Sequence, residues 1–308
     1  MIPDTTPEAP SIGLLLNHEE EPGRPSPRWR DMAAFATDAE AIGVDALWLV
    51  DHFLWESDPW GRDETEPCGV WEAWTTLAAL ASLTSRVRLG TLVTCAGYRN
   101  PALLAKMADT VDEISGGRLV LGLGAGDAPD EHRRFGFPFE RRVSRFAEAL
   151  EIVVPLLRTG RATFAGEILL ARAAELRPRG PRATGPPILI GSLAGRPRIL
   201  GLVARYADVW NAWIPHRSRA EEIPALREAV DAACVAHGRD PATLKRSVAI
   251  AVAFDDPLPG AIAGSAAEIA DALHRFAAEG IGELQVRLFP NDQRSVEAFS
   301  RVLELLRS

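Results

Sequence analysis

The chain has 308 residues, enough for one large core or two ordinary domains, and its 47% hydrophobic and 25% charged residues are the balance of an ordinary globular protein. A net charge of −8 argues against a nucleic-acid partner, because phosphate backbones would repel it. Cys68, Cys95 and Cys234 form neither a disulfide framework nor a metal motif, no apolar run approaches the roughly 20 residues of a membrane span, and the acidic, proline-rich start lacks the regions of a signal peptide, so no metal, no membrane and a cytoplasmic location are expected.

Short apolar runs alternate with longer amphipathic stretches. Residues 1–11 read as a disordered tail. Strand 12–16 is followed by helix 28–41, strand 46–50 by helix 70–83, and strand 87–93 by helix 101–114, which opens on a proline and ends at Gly116-Gly117. Strand 119–123 comes next, with no further helix expected before residue 141 or so; that helix runs to 157. The rhythm continues with strand 187–190 and helix 196–206, strand 209–212 and helix 219–237, strand 247–253 and helix 266–279, then strand 283–287 and helix 295–306. The proline- and arginine-rich stretch 177–187 reads as an inserted loop. Strands that are apolar throughout are buried on both faces, as in a parallel sheet covered by helices. About eight such β-then-α units predict a single-domain (β/α)8 TIM barrel with inserted loops over 12–308; an open doubly wound sheet is the rival.

A barrel works at the carboxyl ends of its strands, which narrows the search to eight loops. The second strand runs into Asp51-His52-Phe53 and a loop of about twenty residues, long enough to be functional or disordered. His52 can give or take a proton near neutral pH, and Asp51 could fix its tautomer or bind a ligand; a histidine that only caps the loop is equally open. At the fourth strand, Gly122, Gly124 and Gly126 alternate. Either they let a flat or phosphorylated ligand approach the backbone, or they ease a tight strand. A dinucleotide fingerprint is rejected, since the third glycine falls one residue early and no helix follows. Gly90 and Thr91 suggest a bulge or turn at the third strand end. After the fifth strand, Gly191-Ser192-Leu193-Ala194-Gly195 opens a helix: an anion site or a plain turn.

Five stretches in order, LWLVDHF, TSRVRLGTLVT, YRNPALLAKMADTVDEISGGRLVLGLGAGD, FERRVSRFAEALEIV and PPILIGS with RILGLVARYADVWN, resemble the bacterial luciferase-like family of flavin and deazaflavin oxidoreductases over residues 12–215 or so. Asp51-His52-Phe53 is most similar to the branch using coenzyme F420. The resemblance implies that His52 lies against the reactive ring and serves in proton transfer, with Asp51 hydrogen-bonding on the cofactor side. It implies a non-proline cis peptide at Leu92-Val93 behind the ring, within a cofactor-side segment from Thr91 to Thr94. Gly122, Gly124 and Gly126 would border the cofactor, and residues 191–195 would hold its phosphate. Asp127 takes a catalytic position where a glutamate stands in the sugar-phosphate dehydrogenases of this branch. The implied reaction is hydride exchange between coenzyme F420 and a small organic substrate. The substrate would be bounded by Asn17-His18, the 51–69 loop and Trp210, Trp213 and His216. The alternatives are an FMN-dependent monooxygenase using O2, and a non-catalytic flavin-binding barrel. A homodimer is expected, the commonest oligomer.

Overall fold

The computed structural model describes residues 9–21, 23–55, 67–193, 195–255 and 258–308. The tail reading for 1–11 falls largely outside them. Eight strands form the barrel: β1 (Ser11–Leu15), β2 (Ala46–Leu49), β3 (Arg88–Thr91), β4 (Leu119–Gly124), β5 (Ile188–Gly191), β6 (Val209–Trp213), β7 (Lys245–Ala253) and β8 (Glu283–Phe289). Each pairs in parallel with the next, and β8 returns to β1 with Ser11 opposite Glu283, so the sheet closes without an edge. The strands are buried on both faces, all six residues of β4 among them, which is why they read as unbroken apolar runs.

Nine helices among the described residues complete the structure: α1 (Trp29–Ala41), α2 (Ala73–Leu83), α3 (Pro101–Ile114), α4 (Pro129–Arg134), α5 (Arg142–Thr159), α6 (Pro197–Tyr206), α7 (Ile223–Ala236), α8 (Ala266–Ala278) and α9 (Gln293–Leu306). Their starts follow local chemistry. Asn100 accepts from the N–H groups of Ala102 and Leu103 ahead of Pro101, and Ser265 forms a capping box with Glu268. The main core lies between strands and helices, while a second cluster fills the barrel around Trp48. Gly13 and Gly90 make room for that indole: a Cβ on either would come within 2.4 Å of it.

Four local features depart from the sequence reading. Helix α2 starts at Ala73, three residues late, because Glu72 accepts from the N–H groups of Trp74 and Thr75 and sets the cap there. Helix α4 occupies the loop after β4, too short at six residues to show a helical period. Residues 161–175 contain an antiparallel hairpin, Arg161–Ala165 with Leu170–Glu175, largely exposed and without the buried apolar run that marks the barrel strands. The stretch 219–237 divides into a 3-10 turn (Ala220–Glu222) and α7. No helix among the described residues is long and apolar enough to cross a membrane.

Candidate active site

A cavity of about 450 Å³ opens at the carboxyl ends of the strands, within the size range of small-molecule sites. Its wall includes Asp51, His52 and Trp55 after β2, Leu92, Val93, Cys95 and Tyr98 after β3, and Gly124 to Asp127 at the end of β4. The rest of the wall includes Arg142, Val143, Gly191, Ser192, Leu193, Arg196 and Ile199, with Asn211 and Trp213 from β6.

His52 is held from both sides. Its Nδ1 lies 2.9 Å from Oε2 of Glu131, and its ring packs on Trp55 at 3.8 Å between centroids. Nε2 has no hydrogen-bond partner among the described residues, so it remains available to the cavity. Glu131 sits on α4 and is 1% exposed. Its carboxylate accepts from the backbone N–H of Phe53 and of Leu54, the latter at 3.1 Å, and from the Tyr98 hydroxyl at 2.6 Å. Burial opposes the charge on Glu131, but these donors and His52 override it and hold its pKa at about 2. Burial likewise opposes an imidazolium at His52, yet the bond to Glu131, with Asp127 and Asp51 nearby, raises the pKa above the ordinary histidine value. In the neutral ring Nδ1–H donates to Glu131, which fixes the tautomer with a basic Nε2.

Asp51 borders the cavity, but its carboxylate is already occupied. It accepts from Arg99 at 2.6 and 2.9 Å and from the Cys95 N–H at 3.0 Å, and Arg99 reaches on to Glu72 at 2.7 Å. Burial raises the Asp51 pKa despite the guanidinium. The Cys95 thiol is pushed up to about 12 by burial, so it stays protonated and a poor nucleophile.

The floor is built by Val93 and the strand glycines. The Leu92-Val93 peptide is cis, as the resemblance implied. A Cβ on Gly124 would lie 2.7 Å from Val93 Cγ2, and one on Gly191 within 3.8 Å of Val93 Cγ1. The isopropyl group therefore lies next to both strand ends, and the glycine at 124 leaves it room. Gly126 has φ +81°, which an L side chain rarely adopts.

Of the residues singled out from sequence, His52, Asp51, Leu92, Val93, Gly124, Gly126, Asp127, Gly191, Ser192 and Leu193 line this one cavity. Thr91, Thr94 and Gly122 do not. Thr91 donates to the Gly122 carbonyl at 2.9 Å, Thr94 donates to Thr91, and the Trp74 indole donates to Thr94. A Cβ on Gly122 would fall 1.8 Å from the Thr91 oxygen, so that glycine serves strand packing. Gly195 lies off the wall, and Ala194 and residues 56–66 are outside the described residues. Trp213 is on the wall, whereas Trp210 is core and donates to the Ser192 carbonyl, and His216 is exposed elsewhere. His18 is buried against the carbonyls of Leu16 and Val50, and Asn17 donates to the Asn291 carbonyl. Sequence reasoning missed Glu131, Tyr98, Arg99, Arg142 and Arg196. The strand-end rule pointed at the loops of Tyr98, Arg99 and Glu131, but nothing in their spacing marked these residues.

A family model described as luciferase-like monooxygenase matches residues 11–277. Over 288 residues the chain is 33% identical to an F420-dependent hydroxymycolic acid dehydrogenase of Mycobacterium tuberculosis, covering 91% of this chain and 72% of that protein. It is 32% identical over 237 residues to an F420-dependent glucose-6-phosphate dehydrogenase of Kineococcus radiotolerans, covering 73% of this chain and 64% of that protein, just under two thirds of its length. Among solved structures, an F420-dependent secondary alcohol dehydrogenase in complex with an F420-acetone adduct superposes with a TM-score of 0.80 over 97% of this chain and all of that one, at 20% identity, a likeness of fold.

Proposed function

The chain belongs to the luciferase-like monooxygenase family, and we propose that within it the protein is a coenzyme F420-dependent oxidoreductase exchanging a hydride with a small organic substrate, His52 serving as proton donor or acceptor. The relatives named for that coenzyme align over most of the chain and support the cofactor. The observation that carries the proposed role of His52 is its geometry: an imidazole fixed at Nδ1 by a buried carboxylate, with Nε2 open to a ligand-sized cavity.

The residues present fit such a cofactor. Gly124 and Gly191 add no Cβ to the floor beside the Val93 isopropyl group, which leaves a surface on which a flat ring can lie. Arg142 and Arg196 are the arginines on the cavity wall among the described residues, and they would receive an anionic tail. When bound, the deazaflavin supplies a two-electron hydride carrier. The protein orients it, excludes water and handles the proton. In alcohol oxidation, Nε2 of neutral His52 accepts the hydroxyl proton, and Glu131 stabilises the imidazolium that forms. In carbonyl reduction, the same imidazolium donates to the new alkoxide oxygen. Cofactor-binding assignments for Asp51, Thr91, Thr94, Gly122 and Gly195 are carried by their neighbourhood alone. A homodimer is part of this reading, two-fold dimers being the commonest oligomer.

Titrating the purified protein with coenzyme F420 and with FMN, each followed by fluorescence quenching, tests the cofactor. The expected result is saturable binding of coenzyme F420. Binding of FMN alone would replace this reading with an FMN-dependent monooxygenase, and binding of neither with a barrel that has lost catalysis.

A further inference from the structure

The cavity at the barrel mouth adjoins another in the helical layer. This outer cavity, of about 190 Å³, is built on α5 and α6, and Val143 stands on the walls of both. The chain also passes from one to the other: Arg196 is on the first wall, Pro197 and Arg198 on the second. From α5 the outer cavity takes Val143 and Ala147, one turn apart. From α6 it takes Arg198, Gly201, Leu202 and Arg205, the i, i+3, i+4 and i+7 positions of one helix face. The two arginines are therefore about 10 Å apart along the axis. His237, at the end of α7, lays its imidazole over Gly201, where a Cβ would come within 3.2 Å of Cε1 and Nε2. Arg198 donates from Nη2 to Ser144 at 3.0 Å, and Arg205 donates from Nη2 to Glu151 at 3.1 Å and to the Tyr206 hydroxyl at 2.6 Å. Their other guanidinium nitrogens, and Nε2 of His237, have no hydrogen-bond partner among the described residues. No carboxylate lines this cavity among the described residues, in a chain of net charge −8.

We propose that this outer cavity seats the tail of the coenzyme, a flexible chain of glutamates that leaves the barrel mouth past Arg196 and runs along α6, with its carboxylates on Arg198, Arg205 and a protonated His237. The inference rests on the cofactor reading above and deepens it, assigning a second site to a part of the ligand that takes no part in the hydride transfer. A chain with a carboxylate on every residue is recognised by cations spaced along a track, with no anion on the track to repel it. Arg198 and Arg205 supply that spacing, each fastened to α5 or its neighbour through one nitrogen and open at the others. Ala147 and Leu202 add an aliphatic surface for the methylene groups of the tail. Both guanidinium groups are exposed, so each ion pair is weak on its own and the tail is held by several together.

The test is equilibrium binding to the full chain, read by fluorescence quenching, of three ligands: the deazaflavin chromophore with neither phosphate nor tail, coenzyme F420 with a single glutamate, and coenzyme F420 with several. The long-tailed form should bind about tenfold more tightly than the single-glutamate form, the yield of two or three exposed ion pairs. Added salt, which screens exposed charge, should narrow that ratio. In the double variant Arg198→Gln with Arg205→Gln the ratio should fall towards one, while Arg205→Lys alone, which keeps the charge, should preserve most of it. Thermal unfolding of each variant should stay close to that of the parent, because both side chains are exposed. Equal affinity for the two tail lengths in the parent would overturn the inference and leave the cofactor reading standing. A ratio that survives in the double variant would also overturn it, since the tail would then run over other residues. Binding of none of the three ligands would overturn the cofactor reading, and this inference with it.

Discussion

Nδ1 of His52 and Oε2 of Glu131 lie 2.9 Å apart across 79 positions of chain, joining the loop after β2 to the short helix after β4. The carboxylate is saturated with donors and ionised well below neutrality. It can therefore do for the imidazole what an orienting carboxylate does for any catalytic histidine: select the tautomer and favour the protonated ring.

Replacing His52 by Ala should leave cofactor binding nearly intact and slow hydride transfer by roughly 10²–10⁴-fold, read by single-turnover absorbance. Glu131→Gln should cost about 10–100-fold in kcat and, more tellingly, shift the pH profile. Without the carboxylate, burial governs His52 and its pKa falls. The rising limb of alcohol oxidation, which needs the neutral ring, should then move to lower pH, and so should the falling limb of carbonyl reduction. Unchanged profiles would remove Glu131 from proton transfer. The stability consequence has a definite sign. The folded value of Glu131 lies below its ordinary 4.5, so its contribution is present above that pH and lost as pH falls towards about 2. In Glu131→Gln that part of the acid dependence of the unfolding midpoint should disappear.

The glycines of β4 should separate into two kinds. Gly122→Ala places a Cβ 1.8 Å from the Thr91 carbonyl oxygen, so the strand itself must shift. A destabilisation of at least 1–3 kcal/mol, roughly the range of overpacked cores, is expected in thermal unfolding. Gly124→Ala meets only Val93 Cγ2, at 2.7 Å. It should weaken cofactor binding with little change in melting, and adding Val93→Ala, which removes that methyl, should restore much of the affinity. A double-mutant cycle on the cofactor Kd reads this directly, and simple additivity would show that Val93 and Gly124 do not share the cofactor floor.

How far the sequence carried the reading depended on the range of the interaction concerned. The barrel was legible because double burial writes itself into the chain as apolar runs such as ALWL in β2 and LVLGLG in β4. His52 was legible because a barrel's strand ends are privileged positions. Glu131 was not: it sits on a six-residue helix, and its partner is fixed by how two loops fold over one strand end. The two glycines were equally opaque, occupying alternate positions of one strand and differing only in what lies above them. Thr91 and Thr94 looked like ligand groups by position, yet their hydroxyls bind the Gly122 carbonyl and each other.

Arg196 should act through charge. If it receives the anionic part of the cofactor, Arg196→Gln should weaken binding by about tenfold, in the range of one charge-assisted hydrogen bond. The salt dependence of the Kd should flatten with it, because a screened interaction has been removed. A variant with reduced affinity but an undiminished salt slope would place the loss in packing and assign the anion to other residues.

Asp51 and Arg99 give the last prediction, which concerns the frame beneath the proposed catalytic histidine. The Asp51 carboxylate is 1% exposed and depends on Arg99 for two charge-assisted hydrogen bonds, at 2.6 and 2.9 Å. Arg99→Met keeps most of the side-chain volume but strands a buried charge, and breaking such a pair from one side costs roughly 3–5 kcal/mol. Asp51 already has a pKa raised by burial, so the variant should take up a proton there and lose the pull of the carboxylate on the Cys95 N–H. The expected outcome is a lower unfolding midpoint that recovers in part at acid pH, where a neutral Asp51 is tolerated. Asp51→Asn combined with Arg99→Met, which leaves neither charge, should be more stable than Arg99→Met alone. If instead Arg99→Met melts like the parent while cofactor affinity collapses, the pair belongs to ligand binding and the structural account of Asp51 fails.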